Sequence, residues 1–204
     1  MTSGADGFIR AVLVMPFVRH VETLGHNPNP ALKAMGLDPK VLRNPEATVH
    51  AEIIYGLCNE LANLSDNPYL GCRVGEQFDL ARWPPVAAAA QNSRTIADFL
   101  CNYIKRVPQE TSSVRHAMKI EADRTLYSIK RLVHTRNPPK QVDGFGAGIH
   151  LRLMEMSVGT RWEPDKVLIT TTFPEVFPRG YKGVGIAKTN DRELGLSFPT
   201  QWLG

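Results

Sequence analysis

The spacing of apolar residues in the first half of the chain predicts helices. Apolar positions three and four apart indicate an amphipathic helix over residues 8–24, with Pro16 as its kink or its start. The same spacing predicts a helix over 49–64, for which Thr48 is the expected N-cap. A further helix is expected over 96–107. The first half is therefore predicted to be helical.

The pattern changes in the second half, where apolar and polar residues alternate from Val114 onwards. Alternation on both sides of a turn at 122–124 predicts a β-hairpin. A long helix is expected over 142–159, and glycines at every second position near its start suggest the close approach of another element or an irregular start. Three further strands are predicted at 167–172, 184–188 and 194–198.

These elements predict an α+β fold. Its helical N-terminal part spans about 6–108, and a sheet-plus-helix part follows over about 113–200. The order ββ-α-βββ in the second part predicts a mostly antiparallel sheet with the long helix packed on it. A length of 204 residues fits one domain over 1–204.

Composition narrows the class of protein. Hydrophobic residues make up 43% and charged residues 22%, which excludes a wholly disordered chain. The longest uncharged stretch considered, 11–18, falls short of the roughly 20 apolar residues of a membrane-spanning helix. The start, 1–7, lacks a basic segment, so no signal peptide is expected. The three cysteines form no CxxC pair, and we expect reduced thiols in a cytoplasmic protein.

The net charge of +4 is concentrated in one region. Basic residues outnumber acidic ones in the segment 105–140, which includes the predicted hairpin. Such an excess can attract an anionic partner, although a solvated face is the simpler interpretation. The chain contains no recognisable helix-turn-helix pair, zinc finger or aromatic RNA-binding signature. No direct DNA binding by these residues is therefore expected.

No catalytic motif is present. The segment 144–148 is glycine-rich but lacks the lysine of a phosphate-binding loop, and no two histidines have the spacing of a metal pair on one helix. We therefore expect no enzyme activity, no metal site and no cofactor. Because one axial histidine needs no motif, a haem-type or other histidine-dependent sensor or enzyme remains an alternative. A ligand-free interaction module is a third possibility.

Aromatic residues and methionines on the predicted inward faces suggest an apolar pocket with a few polar anchors. Plain core packing is the alternative for each of them. The candidate lining residues are Trp83, Phe99, Tyr103, Met154 and Trp162. Arg82 and His150 are the candidate polar contacts, with Asn92 and Arg152 as further possible anchors.

A set of short motifs goes beyond composition. The chain contains ALKAMGLDP, then LRNPE, then DNPYLGCRVGE, then NSRTIADFL, in that order. The later segments GTRWEPDKV and YKGV, followed by Asn190, Leu194 and Phe198, continue the series. Together these segments resemble the arabinose-binding-type N-terminal domain of AraC-type transcription regulators over roughly residues 25–203.

The resemblance implies an effector-sensing and dimerisation domain of an activator or repressor. Its expected partners are a small-molecule effector and a second copy of the chain, with no membrane. DNA would be contacted only through a C-terminal helix-turn-helix domain, which these 204 residues do not include. Two departures from the family pattern, Cys72 and the segment 82–86, lie near possible pocket positions, so the effector is expected to differ from that of relatives.

Overall fold

The computed structural model describes residues 7–91 and 93–204, so Asn92 and residues 1–6 lie outside it. The first half is mainly helical and contains two short strands. Its elements are β1 (Phe8–Arg10), α1 (Met15–Thr23), α2 (Asn29–Ala34), α3 (Pro39–Arg43), β2 (Thr48–His50), α4 (Ala51–Leu64), α5 (Leu70–Gln77), α6 (Pro84–Ala90) and α7 (Ile96–Arg106). The second half contains β3 (Val114–Ile120), β4 (Arg124–Arg131), α8 (Lys140–Val158), β5 (Leu168–Thr171), β6 (Gly185–Lys188) and β7 (Glu193–Pro199).

Two sequence predictions in the first half are wrong at their N-terminal ends. The helix expected over 8–24 begins only at Met15, because residues 8–10 form β1 and a short 3-10 turn follows. Thr48 does not cap α4, because residues 48–50 form β2, which pairs antiparallel with β1. His50 is the cap instead, and its Nδ1 accepts a hydrogen bond from the Glu52 amide at 3.2 Å. Both errors have one cause, a pairing between segments distant in sequence.

The larger sheet confirms the predicted α+β class and the expectation that most strands are antiparallel. Its five strands lie in the order β3-β4-β7-β5-β6, and every neighbouring pair is antiparallel except β5 and β6. The hairpin forms as expected, with Val114 opposite Arg131. The ββ-α-βββ order holds, since α8 lies between β4 and β5 in the chain.

Side-chain caps begin two of the helices in the first half. The Asp38 carboxylate accepts a hydrogen bond from the Lys40 amide at 2.8 Å at the start of α3. The Thr95 hydroxyl accepts one from the Asp98 amide at 3.1 Å at the start of α7. Each cap satisfies an amide that has no partner within its own helix.

The glycines of α8 reflect a close helix contact rather than an irregular start. A Cβ added at Gly144 or Gly148 would lie 3.1 Å from backbone atoms of Cys72 on α5. On the opposite helix, a Cβ at Gly75 would lie 2.5 Å from the Phe145 carbonyl oxygen, and one at Gly71 would overlap the backbone of α8. The two backbones therefore pack directly against each other, which only glycine permits.

The buried apolar residues form two clusters that meet at α8. One cluster joins the large sheet to α6, α7 and α8, and includes Tyr103, Ile149 and Leu196. The other joins β1, β2, α1, α2, α4 and α5, and includes Phe17. The Phe145 side chain on α8 packs against both clusters. The space between them is where a cavity remains.

Candidate functional site

A cavity of about 100 Å³ lies between the helical half and the large sheet. A single water requires roughly 10–15 Å³, so the cavity is larger than this by a factor of about seven or more. Its walls come from β1, α1, α4, α7, β3, β4, β7 and α8, and are predominantly apolar. Apolar wall residues include Ile9, Phe17, Ile54, Val114, Ile129 and Leu194.

Three of the predicted ligand residues line this cavity, namely Trp83, Tyr103 and His150. They come from three different segments of the chain, which the fold brings together. Phe99 does not line the cavity itself. Its ring stacks behind Tyr103, with the ring centroids 6.1 Å apart and the planes within 10°. Phe99 therefore supports the wall that Tyr103 forms.

The other three predicted residues lie elsewhere. Arg82 is exposed, and its Nε lies 3.3 Å from the Asp79 carboxylate. Met154 is buried in the core outside the cavity lining. The ring of Trp162 packs on that of Trp202, with centroids 5.5 Å apart.

Of the two further anchors considered in the sequence, Arg152 does not line the cavity. Its guanidinium donates a hydrogen bond to the Phe78 carbonyl oxygen at 2.6 Å. Asn92 lies outside the described residues.

Four rings form a buried aromatic cluster at the cavity: Tyr103, His116, Tyr127 and His150. Neighbouring centroids lie 5.0–5.8 Å apart. The His116 Nδ1 and the Tyr127 hydroxyl are hydrogen-bonded at 2.5 Å. Burial lowers the pKa of His150 to about 4, and burial together with the neighbouring His150 and Arg131 lowers the pKa of His116 well below its ordinary value. Both imidazoles are therefore neutral at pH 7.

Two polar atoms in this cluster are buried without partners. His150 Nδ1 lies 2.6 Å from the Gly146 carbonyl oxygen, which can only accept, so Nδ1 carries the proton. Nε2 of the same ring is then an acceptor, and it has no partner among the described residues. The hydroxyl of Tyr103 also has none, and burial raises its pKa, so it remains protonated.

Arg131 brings a charge to the cavity wall. Its guanidinium forms an ion pair with Asp143 on α8, and both side chains are buried. The Thr171 hydroxyl donates to the same carboxylate at 3.0 Å. The guanidinium also lies over the Tyr55 ring, 5.6 Å from its centroid. The charge is thus fully paired inside the protein.

Three residues separate the cavity from an outer groove. Leu13, Trp83 and Glu110 line both spaces. Burial raises the pKa of Glu110, although Arg10 opposes this with its Nε 3.7 Å from the carboxylate. These three side chains thus border both spaces.

Sequence reasoning missed several cavity residues. Phe17, Tyr55 and His116 were not proposed, although His116 alternates with exposed residues on a predicted strand. Arg131 offered the clearest signal, because it continues the alternating series of Tyr127 and Ile129 on the inward face of its strand. A charged residue in such a register indicates a buried, paired group.

Metal ligands do not cluster in the part of the chain that the structure describes. Among residues 7–91 and 93–204, no three histidine, cysteine, aspartate or glutamate side chains lie together as metal ligands. The cavity of about 100 Å³ is small beside a haem macrocycle.

The amino-acid sequence identifies the class of this domain. Residues 25–181 match the sequence profile of a known family, the N-terminal arabinose-binding domain of AraC transcription regulators. The chain therefore belongs to this family, which consists of transcription regulator domains. Among curated proteins, none matches the sequence.

A solved structure shows the same fold. The transcriptional regulator CdpR from Pseudomonas aeruginosa is similar over 86% of this chain, with a TM-score of 0.57 and 14% sequence identity. The similarity covers 54% of the CdpR chain, so the present chain spans about half the length of that regulator. Within the described part of the present chain, no helix is both long and apolar enough to cross a bilayer.

Proposed function

We propose that this domain binds a small-molecule effector in the cavity and thereby regulates DNA binding by an attached helix-turn-helix domain. The main support is the cavity itself, an apolar space with convergent polar groups in a domain of a regulator family. A well-packed core leaves few voids of this size. Its position between the helical half and the sheet lets an occupant contact both.

The proposed mechanism is a shift between two arrangements of the domain. A ligand changes such an equilibrium only by binding one arrangement more tightly than the other. The cavity offers the means, because β1 and α1 form one side while β4 and α8 form the other. Arg131 belongs to the wall and holds Asp143 on α8, so an occupant would act on the helix–sheet contact.

Two tryptophans provide a matched test of the site. Both Trp83 and Trp162 are half-buried, but only Trp83 lines the cavity. Thermal denaturation of the wild-type protein across a metabolite panel identifies a ligand, since binding at 100 times the dissociation constant adds about 2.7 kcal/mol of stability. Trp83→Ala should then lower the affinity for that ligand at least tenfold, as measured by calorimetry. Trp162→Ala should leave that affinity unchanged.

The outcomes separate the sensor from its alternatives. Equal affinities in both variants would place the ligand elsewhere and overturn this site. A panel without any stabilising compound would favour the ligand-free interaction module. A Soret band in the purified or haem-loaded protein would favour the haem-type sensor.

The remaining parts of the proposal follow the family. We expect the domain to form a homodimer. We also expect the 204 residues alone to show neither sequence-specific DNA binding nor catalytic activity. Such a regulator acts where the DNA is, so the cytoplasm is the proposed location. Light scattering during size-exclusion chromatography tests the dimer, and a monomer mass at micromolar concentration would contradict it. Mobility-shift assays test the absence of DNA binding.

A further inference from the structure

The unpartnered atoms of the cavity indicate the chemistry of its occupant. His150 Nε2 and the Tyr103 hydroxyl are both buried and both lack a partner among the described residues. Their rings line the same cavity, with centroids 5.7 Å apart and planes at 68°. Buried polar groups in native proteins nearly always have partners. The Tyr55 hydroxyl and Trp83 Nε1 at the same cavity also lack a geometric hydrogen bond, but they lie beside the charged groups of Arg131 and Glu110. His150 Nε2 and the Tyr103 hydroxyl, on adjacent rings away from those charges, therefore indicate that an occupant bonds them.

The two atoms have opposite roles. His150 donates from Nδ1 to the Gly146 carbonyl at 2.6 Å, which leaves Nε2 as an acceptor. The Tyr103 hydroxyl is protonated and can donate. A single hydroxyl group on a ligand satisfies both, because it donates its proton to Nε2 and accepts from Tyr103. A carboxylate has no proton to donate and would meet the lone pair of Nε2.

The charged residues of the wall leave no site for an ionic ligand. Arg131 is paired with Asp143, and Glu110 lies 3.7 Å from Arg10. The remaining surface is mainly aliphatic and aromatic. A sugar would bury several hydroxyls against this surface without partners, which is unfavourable.

We infer that the cavity takes a small, uncharged molecule with an apolar body and a single hydroxyl group, bonded to both His150 and Tyr103. This inference rests on the proposed function, since it assumes that the cavity binds an effector. A volume of about 100 Å³ suits a body of one ring. The class excludes carboxylates and sugars.

Four simple probes test the ligand class by calorimetry. Phenol has the ring and the hydroxyl, toluene has only the ring, benzoate carries an anion on the ring, and L-arabinose has hydroxyls without an apolar body. Phenol is expected to bind about tenfold more tightly than each of the others, the difference that about 1.4 kcal/mol produces. This size is that of one or two hydrogen bonds in a buried site.

A pair of tyrosine variants locates the hydroxyl. Tyr103→Phe keeps the ring but removes the donor, so the affinity for phenol should fall about fivefold to tenfold while that for toluene stays the same. Tyr181→Phe is the matched control, because its hydroxyl is also buried and the residue does not line the cavity. It should leave phenol affinity within about twofold of wild type. Urea denaturation of each variant confirms that it folds.

The results distinguish this inference from the function on which it rests. Toluene binding as tightly as phenol would mean that only a water bridges Tyr103 and His150, and would overturn the ligand class. Tightest binding of benzoate or arabinose, or an unchanged phenol affinity in Tyr103→Phe, would also overturn it. In these cases the cavity still binds ligands. Binding of none of the four probes would count against both the ligand class and the effector cavity.

Discussion

The Arg131 guanidinium on β4 and the Asp143 carboxylate on α8 form an ion pair in which the side chains are only 8% and 4% exposed. The pair joins the sheet to the long helix beside the cavity. Breaking a buried pair leaves one charge without a partner, which destabilises by about 3–5 kcal/mol. Asp143→Ala should therefore lower the free energy of unfolding by this amount in urea denaturation.

A double variant tests whether the lost stability comes from the orphaned charge. Arg131→Met combined with Asp143→Leu removes both charges and should recover most of the stability, since apolar replacements of buried pairs are often neutral. A double variant as unstable as Asp143→Ala would mean that Thr171, which donates to Asp143 at 3.0 Å, carries the effect.

The contact between α5 and α8 predicts unequal effects of glycine substitutions. A Cβ at Gly71 would overlap the backbone of α8, which cannot move aside as a flexible side chain can. Gly71→Ala should destabilise by about 3 kcal/mol. Gly146→Ala is the control, because its Cβ would meet only the ends of the Leu194 and Ile129 side chains, at 3.2 and 3.8 Å. It should change stability by less than about 1 kcal/mol, aided by the helix propensity of alanine. Equal losses in urea denaturation would contradict the close contact.

Stability should depend on the protonation of His150. In the unfolded chain the group titrates near 6.5, whereas burial lowers its pKa to about 4 in the folded chain. As the pH falls from 6.5 to 4, the unfolded chain takes up a proton that the folded chain does not. The free energy of unfolding therefore decreases across this window, by up to about 3 kcal/mol from this residue, and levels off below it. The lowered pKa of His116 acts in the same direction.

Urea denaturation between pH 7.5 and 4.5 measures this dependence. His150→Phe removes one contributing group, so its stability should fall less steeply between pH 6.5 and 4.5 than that of the wild type. Parallel curves for the two proteins would show that His150 is not the group responsible.

The three cysteines should differ in reactivity. Cys58 and Cys72 are buried and Cys101 is exposed. Burial raises the pKa of Cys72 to about 12 and that of Cys58 still higher, so neither forms the reactive thiolate at pH 8. An aromatic disulfide reagent should modify one thiol per folded chain and three in denaturant. Cys101→Ser should abolish the fast reaction, and its persistence would contradict this assignment.

The second half of the fold was predicted well because its strands and long helix leave a periodic pattern among residues that are close in sequence. The alternation around Val114 and Tyr127 gave the hairpin, and the apolar spacing over 142–159 gave α8. The strand β1 was missed because three residues cannot show a period, and its partner β2 lies about forty residues away. The glycines of α8 could indicate close packing, but not against which helix.

The cavity was harder to predict than the fold. Trp83, Tyr103 and His150 were found because aromatic and polar residues on inward faces are typical of pockets. The same rule also selected Met154 and Trp162, which occupy other parts of the core. A single sequence tells which residues face inward, whereas the location of a void depends on how the two clusters meet.

Ile9 comes early in the chain and Leu194 late, yet both line the cavity. The enclosure is thus complete only when β1 has paired with β2 and the last strand has docked between β4 and β5. Contacts so distant in sequence close long loops, which costs conformational entropy. Ligand binding consequently reports on the finished fold, and trimming residues from either end past these positions would open the cavity to solvent.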